Sequence, residues 1–133
     1  MKLSQSSAYA ISAVTQIAAV KNSGLISCRA ICEATKMPER YLLQLLRALV
    51  AAGVITSVRG VRGGYRLSKP AHKVTLLHIV EAIDGPIARR GDLSVVGLTL
   101  ASRKILDSTM AGVATDAVKQ LSLLTLADLK PTK

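Results

Sequence analysis

Apolar residues recur along this chain at two spacings, and the change from one to the other marks out the elements. Ala10, Ile11, Val14, Ile17 and Ala18 share one face at the helical period, which predicts an amphipathic first helix within Leu3 to Val20. Ser4, Gln5, Ser6, Ser7, Ser12, Thr15 and Gln16 interrupt that run, so it lacks the contiguous apolar core of a signal peptide, and no segment reads as a membrane span. After the break at Asn22-Ser23-Gly24, Ser27 is placed to cap a short helix from Cys28 to about Thr35, with Cys28, Ile31 and Cys32 on its inner face. Lys36-Met37 supplies a tight turn, and Pro38 suits the first turn of the next helix. There Leu42, Leu45, Leu46 and Leu49 follow at i, i+3, i+4 and i+7, until Gly53 ends the stripe. Two short helices joined by a tight turn make a helix-turn-helix.

The period then drops to two. Val54 to Arg59 is β-branched and alternating, Gly60 to Gly64 is a glycine-rich turn carrying Arg62, and Tyr65-Arg66-Leu67-Ser68 alternates again before Pro70. This predicts a two-stranded hairpin, or wing. A nucleotide-binding loop would need a Gly-Lys-Ser/Thr and a following helix, and neither is present. Thr75 is expected to cap a helix from Leu76 to Ile83, with Leu76, Ile79, Val80 and Ile83 inward and Asp84-Gly85-Pro86 at its end. Ile87 to Ser102 has no clear period. From Arg103 onward Leu106, Met110, Val113, Ala117, Leu121 and Leu124 form a long helical stripe reaching beyond the head. Antiparallel contact with the same helix of a second subunit covers such a stripe most economically, with Gly112 permitting a close crossing; packing back on its own domain is the alternative. The expected fold is mainly α: a winged helix-turn-helix with a two-stranded β wing over residues 1–86, then a linker, a long C-terminal dimerisation helix and a tail over residues 87–133.

Charge separates the two parts further. Of the 133 residues, 18 are Lys or Arg and 8 are Asp or Glu, a net charge of +10. Residues 1–70 hold ten basic residues against Glu33 and Glu39 only, whereas residues 71–133 hold eight against six. A positive field concentrated on the helix-turn-helix half suits a polyanion, because neutralising phosphates releases counterions. On the face of the second helix opposite the leucines stand Arg40, Leu43, Gln44 and Arg47, with Tyr41 at the edge, and the wing adds Arg59, Arg62 and Arg66. Guanidinium, amide and phenol groups are what phosphates and base edges require, so these eight residues are the expected contacts to double-stranded DNA. The tyrosines are the chain's only aromatics, too few for an RNA-stacking platform.

Two cysteines cannot build a disulfide framework, which points to a reducing compartment, the cytoplasm. Cys28 and Cys32 lie one helical turn apart. They are either small buried hydrophobes or a redox switch in the helix that supports the reading head. Two ligands are too few for structural zinc or a cluster, so no cofactor and no metal are expected. His72 and His78 read as surface or helix-packing residues, and no nucleophile with its base can be assembled from the spacing, so the chain is not expected to be an enzyme.

Several ordered strings resemble the Rrf-two type winged-helix transcription regulators, the family that includes the iron-sulfur cluster regulator and the nitric-oxide-sensitive repressor. These are Met1-Lys2-Leu3 with Tyr9-Ala10, Tyr41-Leu42-Leu43-Gln44, Ser57-Val58-Arg59-Gly60 with Gly63-Gly64-Tyr65-Arg66-Leu67, Val74-Thr75-Leu76-Leu77 with Glu81 to Pro86, and Leu124 to Leu129. The resemblance implies a homodimeric DNA-binding repressor or dual regulator, with Tyr41 and Gln44 of the recognition helix and Arg59 of the wing at the DNA. It also implies three cluster cysteines after the Gly-Pro, yet Ile87 to Lys104 contains none. The extra carboxylate ligand of some members would fall near Ala8, and a common Glu is Leu43 here, where an exposed leucine suits a thymine methyl. Without the cluster, regulation would come from a protein or small-molecule effector, from oxidation of Cys28 and Cys32, or from expression level alone. The rival reading is a protein-interaction adaptor docking through Leu93, Val95, Val96, Leu98 and Leu100, although burial of that stretch under the long helix is the simpler expectation.

Overall fold

The first helix starts where its sequence offers a cap. Ser4 Oγ accepts the Ser7 N–H at 3.0 Å and opens α1 (Gln5–Ala18), whose Ala10, Ala13, Val14 and Ile17 are buried. Ser27 does the same for α2 (Cys28–Thr35), accepting from the Ala30 N–H at 3.1 Å. Lys36, at φ 60°, turns the chain in the left-handed region, and buried Met37 seals the turn. In α3 (Glu39–Ala51) Leu42, Leu45, Leu46 and Leu49 are all buried, while Pro38 stands just ahead of the helix rather than in its first turn. The computed structural model describes residues 2–87 and 96–131.

The wing follows directly. β1 (Ile55–Val58) pairs antiparallel with β2 (Gly64–Leu67), Ile55 opposite Leu67 and Val58 opposite Gly64. The hairpin is joined to the helices by one further pairing: Ile26 N–H donates to the Tyr65 carbonyl at 3.0 Å, and Tyr65 N–H returns to the Ile26 carbonyl at 2.8 Å. That approach leaves no room for a side chain at Gly64, where a Cβ would lie 2.5 Å from the Ile26 oxygen. The residue before the α2 cap is thereby fastened to the wing.

α4 (Leu76–Asp84) opens with a reciprocal cap. His78 N–H donates to Thr75 Oγ1 and Thr75 N–H donates to His78 Nδ1, both at 3.2 Å, so His78 is a capping residue on the surface. At the other end the Asp84 carboxylate accepts from Ser4 Oγ at 2.7 and 2.9 Å and from the buried Ser7 Oγ at 2.7 Å, clasping α4 to the start of α1. Glu81 caps the Gly-Pro turn by accepting from the Ile87 N–H at 3.0 Å.

The long helix, α5 (Leu100–Leu123), begins three residues before the Arg103 expected for it, because Thr99 accepts the Ser102 N–H at 3.1 Å. None of its 24 residues is fully buried. It packs along α4, and its Leu121 reaches the core, while Met110 and Val113 of the predicted stripe face outward and Gly112 has open space around it. Leu124 falls just past the helix end. The chain then turns back on the head: Leu76 N–H donates to the Leu124 carbonyl and Leu126 N–H to the Val74 carbonyl, both at 2.9 Å. Leu126 is only 1% exposed and belongs to the same core as Val14, Ile31, Leu46, Ile55 and Ile79. Burial under the long helix does not hold for the described part of the apolar linker. Val96 (93% exposed), Leu98 and Leu100 are open to solvent, and Leu100 is the first residue of α5 itself; Leu93 and Val95 lie outside the described residues.

Candidate nucleic-acid interface

The leucine stripe of α3 dictates what its other face presents. With Leu42, Leu46 and Leu49 at 0% exposure, Arg40, Gln44 and Arg47, four and three residues apart, stand together in solvent. Leu43 is half-buried, which corrects the expectation of an exposed leucine: it sits at the flank of the stripe and offers only an edge. Tyr41 is half-buried too. Its ring meets Tyr9 edge-on with centroids 5.6 Å apart, and its hydroxyl is 2.8 Å from Ser6 Oγ. The phenol therefore ties α3 to α1, and Ser6 and Tyr9 are its partners: Tyr9 stands in one of the strings shared with the family, while nothing in the sequence marks Ser6 for this contact.

Arg59, at the start of the wing turn, Arg62, within it, and Arg66, on β2 opposite Thr56, are all exposed. None of Arg40, Arg47, Arg59, Arg62 and Arg66 has a carboxylate partner among the described residues, whereas Arg29 pairs with Glu33 at 3.4 Å within α2. Helix and wing are neighbours through Tyr65. Burial first, and then the nearby Cys28 thiol, push its phenol up, with the Arg47 guanidinium opposing that rise. The result is a row of unneutralised guanidinium groups with one amide, spread over a helix and an adjoining ribbon. Such a surface is suited to phosphates and base edges.

Cys28 and Cys32 are half-buried and packed against the core from α2. Burial first, then the Cys32 thiol and the Glu39 carboxylate, push the Cys28 thiol up to about 11. At neutral pH it is protonated, the form least suited to oxidation. His72 is exposed, in a short 3₁₀ turn at Ala71–Lys73.

A family model described as "Rrf2: Iron-dependent Transcriptional regulator" matches residues 3–132. An HTH-type transcriptional regulator of Synechocystis sp. is 34% identical over 97% of this chain and 87% of its own length. The regulator CymR of Bacillus subtilis is 32% identical over 66% of this chain and 64% of its own. The solved structure of CymR, described as the global cysteine regulator of B. subtilis, superposes with a TM-score of 0.73 at 29% identity, covering 96% of this chain and 95% of that one. IscR of T. potens superposes with a TM-score of 0.70 at 26% identity over 96% of this chain and 85% of that one.

The iron in the family's description finds no matching donor set among the described residues. An iron–sulfur cluster is held by about four ligands, mostly thiolates. This chain has two cysteines in all, one turn apart on a core-packed face, and among the described residues no three His, Cys, Asp or Glu side chains gather into a metal-ligand group. The helix-turn-helix, the wing and the match along nearly the whole sequence agree, and the chain belongs to the Rrf2 family of winged helix-turn-helix, DNA-binding transcription regulators.

Proposed function

We propose that this chain is a sequence-specific regulator that acts as a homodimeric repressor in the cytoplasm, by binding rather than by catalysis, and without the family's iron–sulfur cluster. The observation that carries the reading is the solvent-facing row Arg40, Gln44 and Arg47 on α3, followed by wing arginines that have no carboxylate partner among the described residues. In this reading α3 enters the major groove, and Gln44 reads a base edge with its amide. Arg40, Arg47, Arg59, Arg62 and Arg66 hold phosphates or line the groove. Tyr41, with its hydroxyl engaged by Ser6, sets the angle of α3 and touches DNA at the edge. The exposed apolar face of α5 supports a two-fold dimer, and half-sites are then about 34 Å apart or a multiple of that.

The test separates charge from reading. Arg59→Ala should weaken binding to operator and random DNA alike and lower the slope of log affinity against log salt by about one, while Gln44→Ala should relax preference at one base position. Equal losses on operator and random DNA for both variants would sink the assignment.

The adaptor reading has one observation in its favour, the exposure of Val96, Leu98 and Leu100. A protein partner captured by wild type and by Arg59→Ala, but lost when these three residues are made polar, would put that reading first.

A further inference from the structure

The wing ends in a four-residue turn, Gly60 to Gly63, closed by the Gly63 N–H donating to the Gly60 carbonyl at 3.0 Å, with Val61 and Arg62 at the two central positions. Central turn positions favour Gly, Asn, Asp, Ser and Pro, each for its backbone or its hydrogen bonding. Val61 fits none of those reasons. At 107% exposure it is the most exposed large hydrophobic residue described, and it contributes nothing to the core.

A single exposed valine is ordinary by itself. This one stands two residues from Arg59 and next to Arg62, both exposed and without a carboxylate partner among the described residues. The turn is also closely packed at its base. Tyr65, two residues beyond the turn, is bonded in both directions to Ile26, and a Cβ at Gly63 would run into the Val58 carbonyl oxygen. A β-branched side chain loses little rotamer freedom on contact. The turn thus presents two methyl groups between two guanidinium groups in one defined place.

We propose that Val61 is a specificity-determining residue, which packs into the minor groove at the outer flank of each half-site and selects A·T over G·C there. The inference rests on the reading of the wing as a DNA contact and adds to it which wing residue discriminates and how. Arginines are drawn to the narrow, strongly negative minor groove of A·T tracts. The floor of that groove at an A·T pair carries acceptors only, whereas G·C adds the N2 amino donor. Methyl groups pressed against that donor would bury it unbonded, a penalty that an A·T pair avoids. Apolar side chains are also placed in the minor groove by architectural proteins, there as wedges between base steps.

The test uses the full chain and the operator recovered by selection from genomic fragments, with the flank beneath the wing written as A·T or as G·C. Wild type should prefer the A·T flank. In Val61→Thr, which keeps the shape and replaces a methyl by a hydroxyl, that preference should shrink roughly 3- to 10-fold, and Val61→Ala should lose a similar factor. The salt slope should not move, because no charge is removed. Gln44→Ala should disturb preference within the half-site and leave the flank preference as it was. An unchanged flank preference in Val61→Thr, or a loss of equal size on both flanks, would overturn the role of Val61 while leaving the wing at the DNA. Wild type recovering no specific site would overturn both.

Discussion

Cys28 shows how one residue's setting decides its chemistry. A thiol one turn from a second thiol suggests a redox pair on paper, but the face that carries both also carries Ile31 into the core, and that burial dominates. Its pKa rises from the ordinary 9.0 to about 11, so the folded state holds its proton more tightly than the unfolded chain does. The associated stability is fully present below pH 9 and is lost as pH rises through 11. Alkylation of the native protein by iodoacetamide should therefore be slow at pH 7.5 and accelerate steadily toward pH 11, with Cys28→Ser reporting Cys32 alone. Rapid alkylation of Cys28 at neutral pH would contradict this and restore the thiol switch. Tyr41 makes the complementary point: its position on the helix was legible, but the Ser6 hydroxyl and the Tyr9 ring that fix it come from α1 and cannot be read from spacing within α3.

Among the elements, α3 and the wing depend on different kinds of evidence. The stripe of four leucines is a local pattern, and burying it leaves only one orientation for Arg40, Gln44 and Arg47. The wing is a local pattern in its alternation, but its direction depends on the bridge from Ile26 and on glycines that permit close backbone approach. Gly63→Ala should accordingly destabilise the fold by roughly 1–3 kcal/mol, measured as a lower chemical-denaturation midpoint, and should weaken DNA binding beyond what Arg62→Ala does. Wild-type stability in Gly63→Ala would mean that the turn relaxes without strain.

At the scale of the whole molecule, the return of the tail matters most. Leu126, from the far side of a 24-residue helix, fills the head between elements contributed by residues 10–79. Leu126→Ala should cost about 2–5 kcal/mol, seen as a lower Tm. An effect below 0.5 kcal/mol would show that the tail docks only loosely. Between Leu100 and Leu121 the same helix exposes Ile105, Met110 and Val113, apolar side chains that the head does not cover. In the homodimer proposed above, Val113→Asp should give a monomer in sedimentation while the helical circular dichroism of the head persists; a wild type that sediments as a monomer would overturn the dimer, and a variant that sediments unchanged would place its contact elsewhere.

Period and punctuation alone were enough for the helix-turn-helix, the hairpin and their order, because each depends on residues within a dozen positions of one another: Ser27 with Ala30, Leu42 with Leu49, Val58 with Gly64. Spacing also placed the basic face of α3, since burying one side of a helix exposes the other. What required the tertiary structure were the contacts whose partners are far apart in sequence. These are the Asp84 clasp on Ser4 and Ser7, the Ile26 bridge to Tyr65, the Ser6 hold on Tyr41 and the Leu126 plug. A short polar or apolar residue carries no periodic signal of a partner some 35 to 80 positions away, and only the closed core brings the two together.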